Sequence, residues 1–311
     1  MARSSRRCIV PLAIALAIVA TNGTAQSTRT LALTFDDLPF VYKRGDYLPM
    51  ARATTTALVD TLRRYQAPAV AFVNEINVEP DREARVALLK MWIAAGMALG
   101  NHTYSHPDLN RVTIDQFEND IVRGERTIRE LQPNAHLYFR HPMTRSGNTP
   151  EKKKAIDAFL IARGYRIAPH TIENSDFVFN TVYAAARSRH DEGLAAKVRQ
   201  AYLDHTFAAT AFAEATSPKI FGREIPQTLL LHANELNADT LDEMLRRYRG
   251  RGYQFISLDQ AMADPAYATP DTLVTDFGPT WLWRWRTHLG LNVSFADDPE
   301  PPAWVIDLFN H

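Results

Sequence analysis

The sequence LALTFDDLP, residues 31–39, is a short apolar run that ends in two adjacent carboxylates. An apolar run of this length is typical of a buried β-strand. Asp36 and Asp37 would repel each other there, and a chain keeps such a pair most readily where a cation or a strong donor compensates. Most Asp-Asp pairs are solvated turns, so the pair alone is a weak sign of a site. At the frayed end of a strand, however, both side chains can turn toward one cavity.

Similar short apolar runs recur along the chain, with segments of helical period between them. The runs are residues 69–73, 97–100, 137–139, 165–168, 228–231 and 254–258. Residues 113–131 and 239–248 are two of the predicted helices, and Thr113 with Gln116 forms a capping box at the start of the first. Strands that recur after helices pair in parallel, either in an open doubly wound sheet or in a barrel. Seven such units favour a barrel.

Both architectures place their functional sites at the carboxyl ends of the strands. The third predicted strand runs into His102 and His106. Histidines four residues apart lie on one face of a helical turn, near enough to bind one metal ion together. Two polar residues on an exposed loop are the alternative, and a carboxylate such as Asp37 in the same place favours the metal.

Three further side chains follow predicted strands. Arg140 ends the fourth and could make a two-pronged pair with a carboxylate, keeping that carboxylate ionised. His232 ends the sixth, and Asp176, after the fifth, could hold the His232 ring in position.

The first residues resemble a secretory signal: basic residues, then an apolar run, then small residues up to Ala25. We expect cleavage after Ala25 and export to a periplasm or out of the cell. An uncleaved anchor is the alternative, but the run is shorter than the ~20 residues that span a bilayer. Cys8 is the one cysteine, so the mature chain could form no disulfide, and a metal site would have to use His and Asp or Glu.

The charge composition argues against some classes of binding partner. Lys plus Arg and Asp plus Glu both total 35, so no field of one sign exists to hold nucleic acid or, after cleavage, an anionic membrane. We expect one domain over residues 26–260 and a C-terminal extension over 261–311 packed on it. The extension is rich in Trp, and its rings either stack on sugar or pack it onto the barrel. They are Trp281, Trp283, Trp285 and Trp304.

The strand-end motifs together resemble a known family. In order, they are TFDD (34–37), HTYSH (102–106), RHP (140–142), DF (176–177) and LLH (230–232). This set is similar to that of the polysaccharide deacetylase family, the NodB-homology domain of carbohydrate esterase family 4, over about residues 30–260. Single motifs are common, but five in order are specific. The resemblance implies a distorted (β/α)7 barrel of the NodB type, with one divalent metal ion, usually zinc and alternatively cobalt, acting on acetylated carbohydrate.

The resemblance also assigns roles to matching positions. The metal ligands would be Asp37, His102 and His106. The catalytic residues would be Asp36 as base, Arg140 orienting it, His232 as general acid and Asp176 tuning His232.

Substrate-binding roles are expected of three residues near these motifs. A backbone N–H after Arg140, that of Met143, would stabilise the oxyanion. Leu230 would help form the acetyl pocket, or it is ordinary core. His141 would contact substrate, or it stabilises its loop.

The chain departs from the family pattern along the wall of the groove. Leu38 stands where the family usually has a glycine, Met143 where it has an aromatic residue, and Phe177 where it has a tryptophan. The last motif continues as HANELN (232–237). No metal ligand or proton carrier is lost, so the chemistry is better defined than the substrate.

Removal of N-acetyl groups from chitin-type or peptidoglycan-type sugars is the first hypothesis. O-acetyl esters, as in xylan, or small acetyl compounds could use the same site. A non-catalytic carbohydrate-binding protein is a less favoured alternative, and a serine hydrolase ranks last because no Gly-x-Ser-x-Gly occurs.

Overall fold

Strand β1 (Arg29–Leu38) is buried along most of its length and pairs with three other strands in the computed structural model, which describes residues 29–311. The predicted secretion signal and its cleavage position lie outside the described residues. Within the described part, no helix combines the length and apolar character needed to cross a membrane.

The sheet has seven strands, and every strand pair in it is parallel. After β1 the strands are β2 (Ala69–Val73), β3 (Ala98–Asn101), β4 (Leu137–Phe139), β5 (Tyr165–Ile167), β6 (Gln227–His232) and β7 (Tyr253–Phe255). Their order is β5-β4-β3-β2-β1-β6, with β7 paired to the start of β1. The predicted α/β fold and all seven strands are confirmed to within a few residues.

The sheet curves like a barrel, but it is not closed by a hydrogen-bonded strand pair. Strands β5 and β6 stand at its two ends. An isolated bridge between Ile172, which follows β5, and Leu229 of β6 lies across the gap. The predicted barrel is therefore confirmed in its distorted, incompletely closed form.

Helices connect the strands and cover the sheet. They are α1 (Tyr47–Tyr65), α2 (Arg82–Ala94), α3 (Ile114–Gly124), α4 (Arg126–Leu131), α5 (Pro150–Ala162), α6 (Asp176–Ser188), α7 (Glu192–Phe221), α8 (Glu235–Gly250), α9 (Leu258–Met262), α10 (Trp281–His288) and α11 (Ala303–Asn310). Short 3-10 turns lie at Glu75–Asn77, Pro142–Thr144 and Pro265–Ala268.

The helix predicted over residues 113–131 forms as two consecutive helices, α3 and α4, which meet at Glu125, where the backbone keeps right-handed helical angles (φ −77°, ψ −17°). The capping box at Thr113 and Gln116 is present as predicted. At the junction, the buried Glu125 carboxylate accepts hydrogen bonds from Arg163 and Tyr165 on neighbouring elements. These contacts tie the junction of the two helices to the neighbouring elements.

The C-terminal segment packs on the barrel through its aromatic residues. Trp281 and Trp285 are buried in the main hydrophobic core, and Trp283 and Trp304 pack against it partly exposed. These positions favour the interpretation that the rings pack the segment onto the barrel. No tryptophan of the described residues lines the candidate active-site cavity presented below.

A buried ionic cluster also ties this segment to α5. Asp271 accepts hydrogen bonds from Lys153 (3.0 Å) and from Arg284 of α10 (2.8 Å), whose side chain is fully buried. Burial raises the pKa of Asp271, but Arg284 and Lys153 together outweigh burial, and the net shift is downward. Removing this carboxylate would leave the fully buried Arg284 without its ion-pair partner, whereas Lys153 would keep Asp157 (3.1 Å).

We expect Asp271→Asn to lower the free energy of unfolding by about 3 kcal/mol, because breaking a buried ion pair leaves uncompensated charge. The contribution of a carboxylate with a lowered pKa is present above its unfolded pKa and lost as pH falls through the folded value. The difference between wild type and variant, measured by urea unfolding, should therefore shrink below about pH 4. Asp297→Asn, at an exposed position of the same segment, is the control and should change stability by less than about 0.5 kcal/mol. Equal stability of both variants would contradict the prediction.

Candidate active site

The carboxyl ends of β1, β3 and β6 meet at a cavity of about 480 Å³. Seven of the predicted site residues line it: Asp36, Asp37, His102, His106, Met143, Leu230 and His232. They come from four separate parts of the chain, and the parallel sheet brings them together because all its strands end at the same edge.

Pairing of β1 with β6 places the candidate base beside the candidate acid. Asp36 is directly opposite His232 in the register of these two strands. The following residue, Asp37, has a left-handed backbone (φ 64°), and the register of β1 with β2 shifts at this point. The turn lets both carboxylates face the cavity, as predicted for a frayed strand end.

The two histidines converge, but not on a helical turn as predicted. His102 follows directly after β3, and His106 lies in a loop whose backbone is left-handed at Thr103 (φ 68°) and at His106 (φ 57°). The ring centroids lie 4.9 Å apart. Hydrogen bonds from backbone N–H groups to side chains hold the loop, including one from the His106 N–H to the Thr103 hydroxyl (3.1 Å).

Buried Asn101 holds this loop in place. Its side-chain carbonyl accepts from the Thr103 N–H (2.7 Å), and its amide donates to the Ile121 carbonyl (2.9 Å). Gly124 of α3 lies against the same turn, where a Cβ would come within 2.7 Å of the Thr103 carbonyl carbon. The sequence motifs missed both residues, although a glycine inside a predicted helix was a visible signal of a close approach.

Asp37, His102 and His106 can hold a metal ion. Their ligand atoms all lie within 4.8 Å of one another. Asp37 Oδ1 is 3.5 Å from His102 Nε2 and 3.6 Å from His106 Nε2, and it has no hydrogen-bond partner among the described residues. An unpaired buried carboxylate oxygen facing two imidazole nitrogens suits a divalent cation. One carboxylate and two imidazoles form a donor set that zinc accepts, leaving positions for other ligands.

The environment of His102 favours the neutral imidazole that a metal requires. Its Nδ1 lies 2.8 Å from the Arg140 carbonyl oxygen, which places the proton on Nδ1 and leaves the lone pair of Nε2 toward Asp37. Burial lowers the pKa of His102 well below its ordinary value, and His106 lowers it further.

The predicted two-pronged pair between Arg140 and Asp36 is wrong. Fully buried Arg140 donates from Nη2 to the Thr34 hydroxyl (2.9 Å), and no ion pair joins it to Asp36 among the described residues. Its guanidinium carbon lies 5.1 Å from the Phe72 ring centroid. Burial raises the pKa of Asp36 by more than the Arg140 charge lowers it. Arg140 therefore acts on Asp36 through its charge, without orienting it directly.

His232 and Asp176 form the predicted pair. His232 Nδ1 lies 2.6 Å from Asp176 Oδ1, and the His232 N–H donates to Asp176 Oδ2 (2.7 Å). Burial opposes protonation of His232, but Asp176 raises its pKa to about 10. Asp176 also accepts from Asn234 and Asn237, which follow His232 in the departing HANELN motif. These two amides fix the carboxylate that orients His232, and the motif comparison missed them.

Two of the three expected substrate-binding residues lie at the cavity, and one does not. Met143 and Leu230 line the cavity. His141 does not: it is buried against Phe139, with ring centroids 4.9 Å apart, and it lines a separate cavity of about 300 Å³. Consecutive residues after β4 point in different directions, so the alternative role of His141 in stabilising its loop fits its position.

Five other residues line the cavity without having been predicted as site residues: Thr144, Arg145, Glu173, Phe177 and Gly278. Glu173 is partly exposed there and accepts from the Ser175 N–H (2.8 Å), and burial raises its pKa to about 7. Phe177, about half exposed, forms wall beside His232. Gly278 reaches the cavity from the C-terminal segment. Gly278 could not be predicted because it lies far from the motifs in sequence. Glu173 lies only three residues before Asp176, so its position near a motif was a visible signal.

Comparison with known proteins bears on the resemblance that the motifs indicated. Residues 23–158 match the family model for polysaccharide deacetylase. The resemblance seen in the motifs is thereby confirmed over this part of the chain.

Several deacetylases are similar in sequence to parts of this chain. The chain is 32% identical over 114 residues to the peptidoglycan-N-acetylglucosamine deacetylase of Bacillus cereus, covering 36% of this chain and 35% of that protein. It is 31% identical over 113 residues to the chitooligosaccharide deacetylase of a Bradyrhizobium species, covering 36% and 45%. The aligned part thus spans less than half of either relative. A longer alignment, 23% identical over 244 residues, covers 75% of this chain and 79% of the chitin deacetylase of Colletotrichum lindemuthianum.

A solved structure shares the fold. A mutant of BA3943, described as a pseudoenzyme of the CE4 family with restored enzymatic activity, superposes with a TM-score of 0.50 at 16% identity. The superposition covers 76% of this chain and 68% of that chain. At this identity the likeness concerns the fold alone.

We expect His106→Ala to lower the affinity for zinc at least about 100-fold, because it removes one of three protein ligands. Isothermal titration of zinc into the metal-stripped protein measures this. His136→Ala, which removes an exposed histidine before β4, is the matched control and should bind like wild type. Unchanged zinc affinity in His106→Ala would place the metal elsewhere.

Proposed function

We propose that the chain is a metal-dependent hydrolase that removes acetyl groups from N-acetylated carbohydrate of the chitin or peptidoglycan type. The observation that carries the proposal is the placement of Asp36 and His232, which lie side by side, in one cavity with the three candidate metal ligands. Deacetylases of such substrates among the relatives support the choice of substrate. We also propose that the protein acts in a periplasm or outside the cell. This location rests on the predicted secretion signal in residues 1–25.

Zinc is the proposed ion, held by Asp37, His102 and His106. When bound, it supplies a Lewis acid for the carbonyl and brings the pKa of water down toward ~7. The remaining steps belong to side chains of this protein.

Asp36 acts as the base. Its Oδ1 is buried without a hydrogen-bond partner among the described residues, so it is free to accept a proton from attacking water. A carboxylate whose pKa is raised by burial is a stronger base than an exposed one. The water oxygen bonds to the acetyl carbon as its proton passes to Asp36, which gives a tetrahedral oxyanion.

The Met143 N–H is proposed to stabilise the oxyanion. Residues 142–144 form a 3-10 turn at the cavity wall, and the Met143 N–H makes no backbone hydrogen bond within the described part of the chain. A well-placed backbone donor at a developing oxyanion is worth roughly 3 kcal/mol.

His232 completes the reaction as the general acid. With Nδ1 bonded to Asp176, the other ring nitrogen, Nε2, lies on the cavity side, 3.9 Å from Asp37 Oδ2. The raised pKa keeps a proton on His232 at neutral pH. Nε2 gives this proton to the sugar nitrogen as the carbon–nitrogen bond breaks, which leaves a free amine and acetic acid. The acid then loses its proton to solvent and becomes acetate.

Acetate release from a panel of chitooligosaccharides, peptidoglycan, acetylated xylan and small acetyl esters tests the proposal. We expect release from an N-acetylated sugar, its loss on chelation and its recovery with added zinc, because the ion is needed to activate water and carbonyl. Release that is indifferent to chelators would contradict metal dependence. Failure to release acetate from every substrate, with zinc bound, would favour a non-catalytic carbohydrate-binding protein.

We expect His232→Ala to lower kcat/KM on an N-acetyl substrate by about 10²–10⁴-fold, the usual share of a general acid. An ester needs less help, since its alkoxide leaves more readily than an amine anion, so the loss on an acetyl ester should be smaller. Asp36→Asn is the comparison variant, and removing the base should reduce both activities alike. Equal losses on amide and ester in His232→Ala would remove His232 from the role of proton donor.

A further inference from the structure

The loop after β4 has an unusual backbone. Met143 (φ 52°) and Thr144 (φ 51°) are both left-handed, a conformation that non-glycine residues rarely adopt. Two such residues in succession persist only where surrounding contacts hold them. The source of these contacts therefore decides where the Met143 N–H points.

Arg284 of α10 supplies one set of contacts. Its guanidinium donates from Nη2 to the Thr144 carbonyl (2.6 Å) and from Nη1 to the Ser146 hydroxyl (2.7 Å). The same group is fixed by Asp271 (2.8 Å) and by the Pro279 carbonyl (3.0 Å). A planar fork that is fully buried and bonded on all sides is a rigid support for the loop.

Gly278 supplies the second set. Its carbonyl accepts from the Thr144 hydroxyl (2.6 Å), and a Cβ built on it would lie 2.1 Å from both the Met143 carbonyl oxygen and that hydroxyl. No side chain fits between the C-terminal segment and the loop at this point. Gly278 also lines the active-site cavity, so the contact lies at the site itself.

We propose that Arg284 and Gly278 are positioning residues for deacetylation: they clamp residues 143–146 so that the Met143 N–H is directed at the developing oxyanion. This inference rests on the proposed function and extends it to the C-terminal segment. The segment outside the matched family region thereby becomes part of the active site, because the loop conformation depends on it.

The clamp acts on the transition state more than on bound substrate. An interaction that forms only with the oxyanion changes kcat and leaves KM nearly unchanged. The metal ligands come from β1 and from the loop after β3, so zinc affinity should not depend on the clamp.

Gly278→Ala tests the clamp, with Gly250→Ala as the matched control. A Cβ at Gly250 meets nothing within 4 Å, and the residue ends α8 away from the cavity. With an N-acetylated chitooligosaccharide, Gly278→Ala should lower kcat at least about 10-fold, with KM and zinc affinity within about twofold of wild type. A kcat for Gly278→Ala equal to that of Gly250→Ala would overturn the proposal.

Arg284→Lys is the second variant, used also if Gly278→Ala does not fold. It keeps the buried charge beside Asp271, but a single ammonium cannot reproduce the fork that reaches Thr144 and Ser146. Its kcat should fall with little change in KM. Unchanged kcat would contradict the role of Arg284.

Hydrogen exchange separates this inference from the proposed function. The Thr144 and Arg145 N–H groups donate to the His141 and Pro142 carbonyls, and both should exchange faster in Gly278→Ala and Arg284→Lys than in Gly250→Ala. Equal exchange in all three overturns the clamp, whichever substrates the wild type accepts. Wild-type inactivity on every acetylated substrate would contradict the proposed function, while faster exchange in the two variants would still support the clamp.

Discussion

The parallel register of β1 with β6 is the constraint on which the candidate site depends. It sets Asp36 directly opposite His232, so that the candidate base and the candidate acid stand side by side at one edge of the sheet. The left-handed turn at Asp37 then brings the next carboxylate to His102 and His106. A one-residue slip of β1 would turn these side chains to the opposite face, because side chains alternate along a strand. The buried core around β1 fixes the register and therefore the geometry of the candidate site.

Burial acts on these groups in opposite directions, and this separates their roles. It raises the pKa of Asp36, which favours proton uptake, and lowers the pKa of His102, which favours a neutral metal ligand. His232 is the exception, because its pairing with Asp176 outweighs burial and keeps it protonated. Groups whose environments push their pKa values apart are typical of sites that divide acid, base and ligand functions. The neighbouring unpaired oxygen of Asp37 marks where a cation would complete the arrangement.

The fold and the central side chains were predictable from sequence, since short apolar runs place strands and polar residues after those runs place a site. The contacts between such residues were not. Arg140 was expected to pair with Asp36, yet it donates to the Thr34 hydroxyl. The direction of a side chain inside the barrel depends on packing between elements that the sequence pattern does not show. The direction of the His141 side chain was likewise not predictable, and this residue lines a separate cavity. The support from Gly278 joins positions far apart in sequence, and no local pattern reports a contact of that kind.

Anomalous diffraction at the zinc absorption edge, from crystals grown with zinc, tests the central claim most directly. We expect a single strong peak at the cavity, about 2.0–2.2 Å from ligand atoms of Asp37, His102 and His106. A peak at another position, or these three side chains pointing apart with no density between them, would contradict the metal centre and with it the proposed hydrolase.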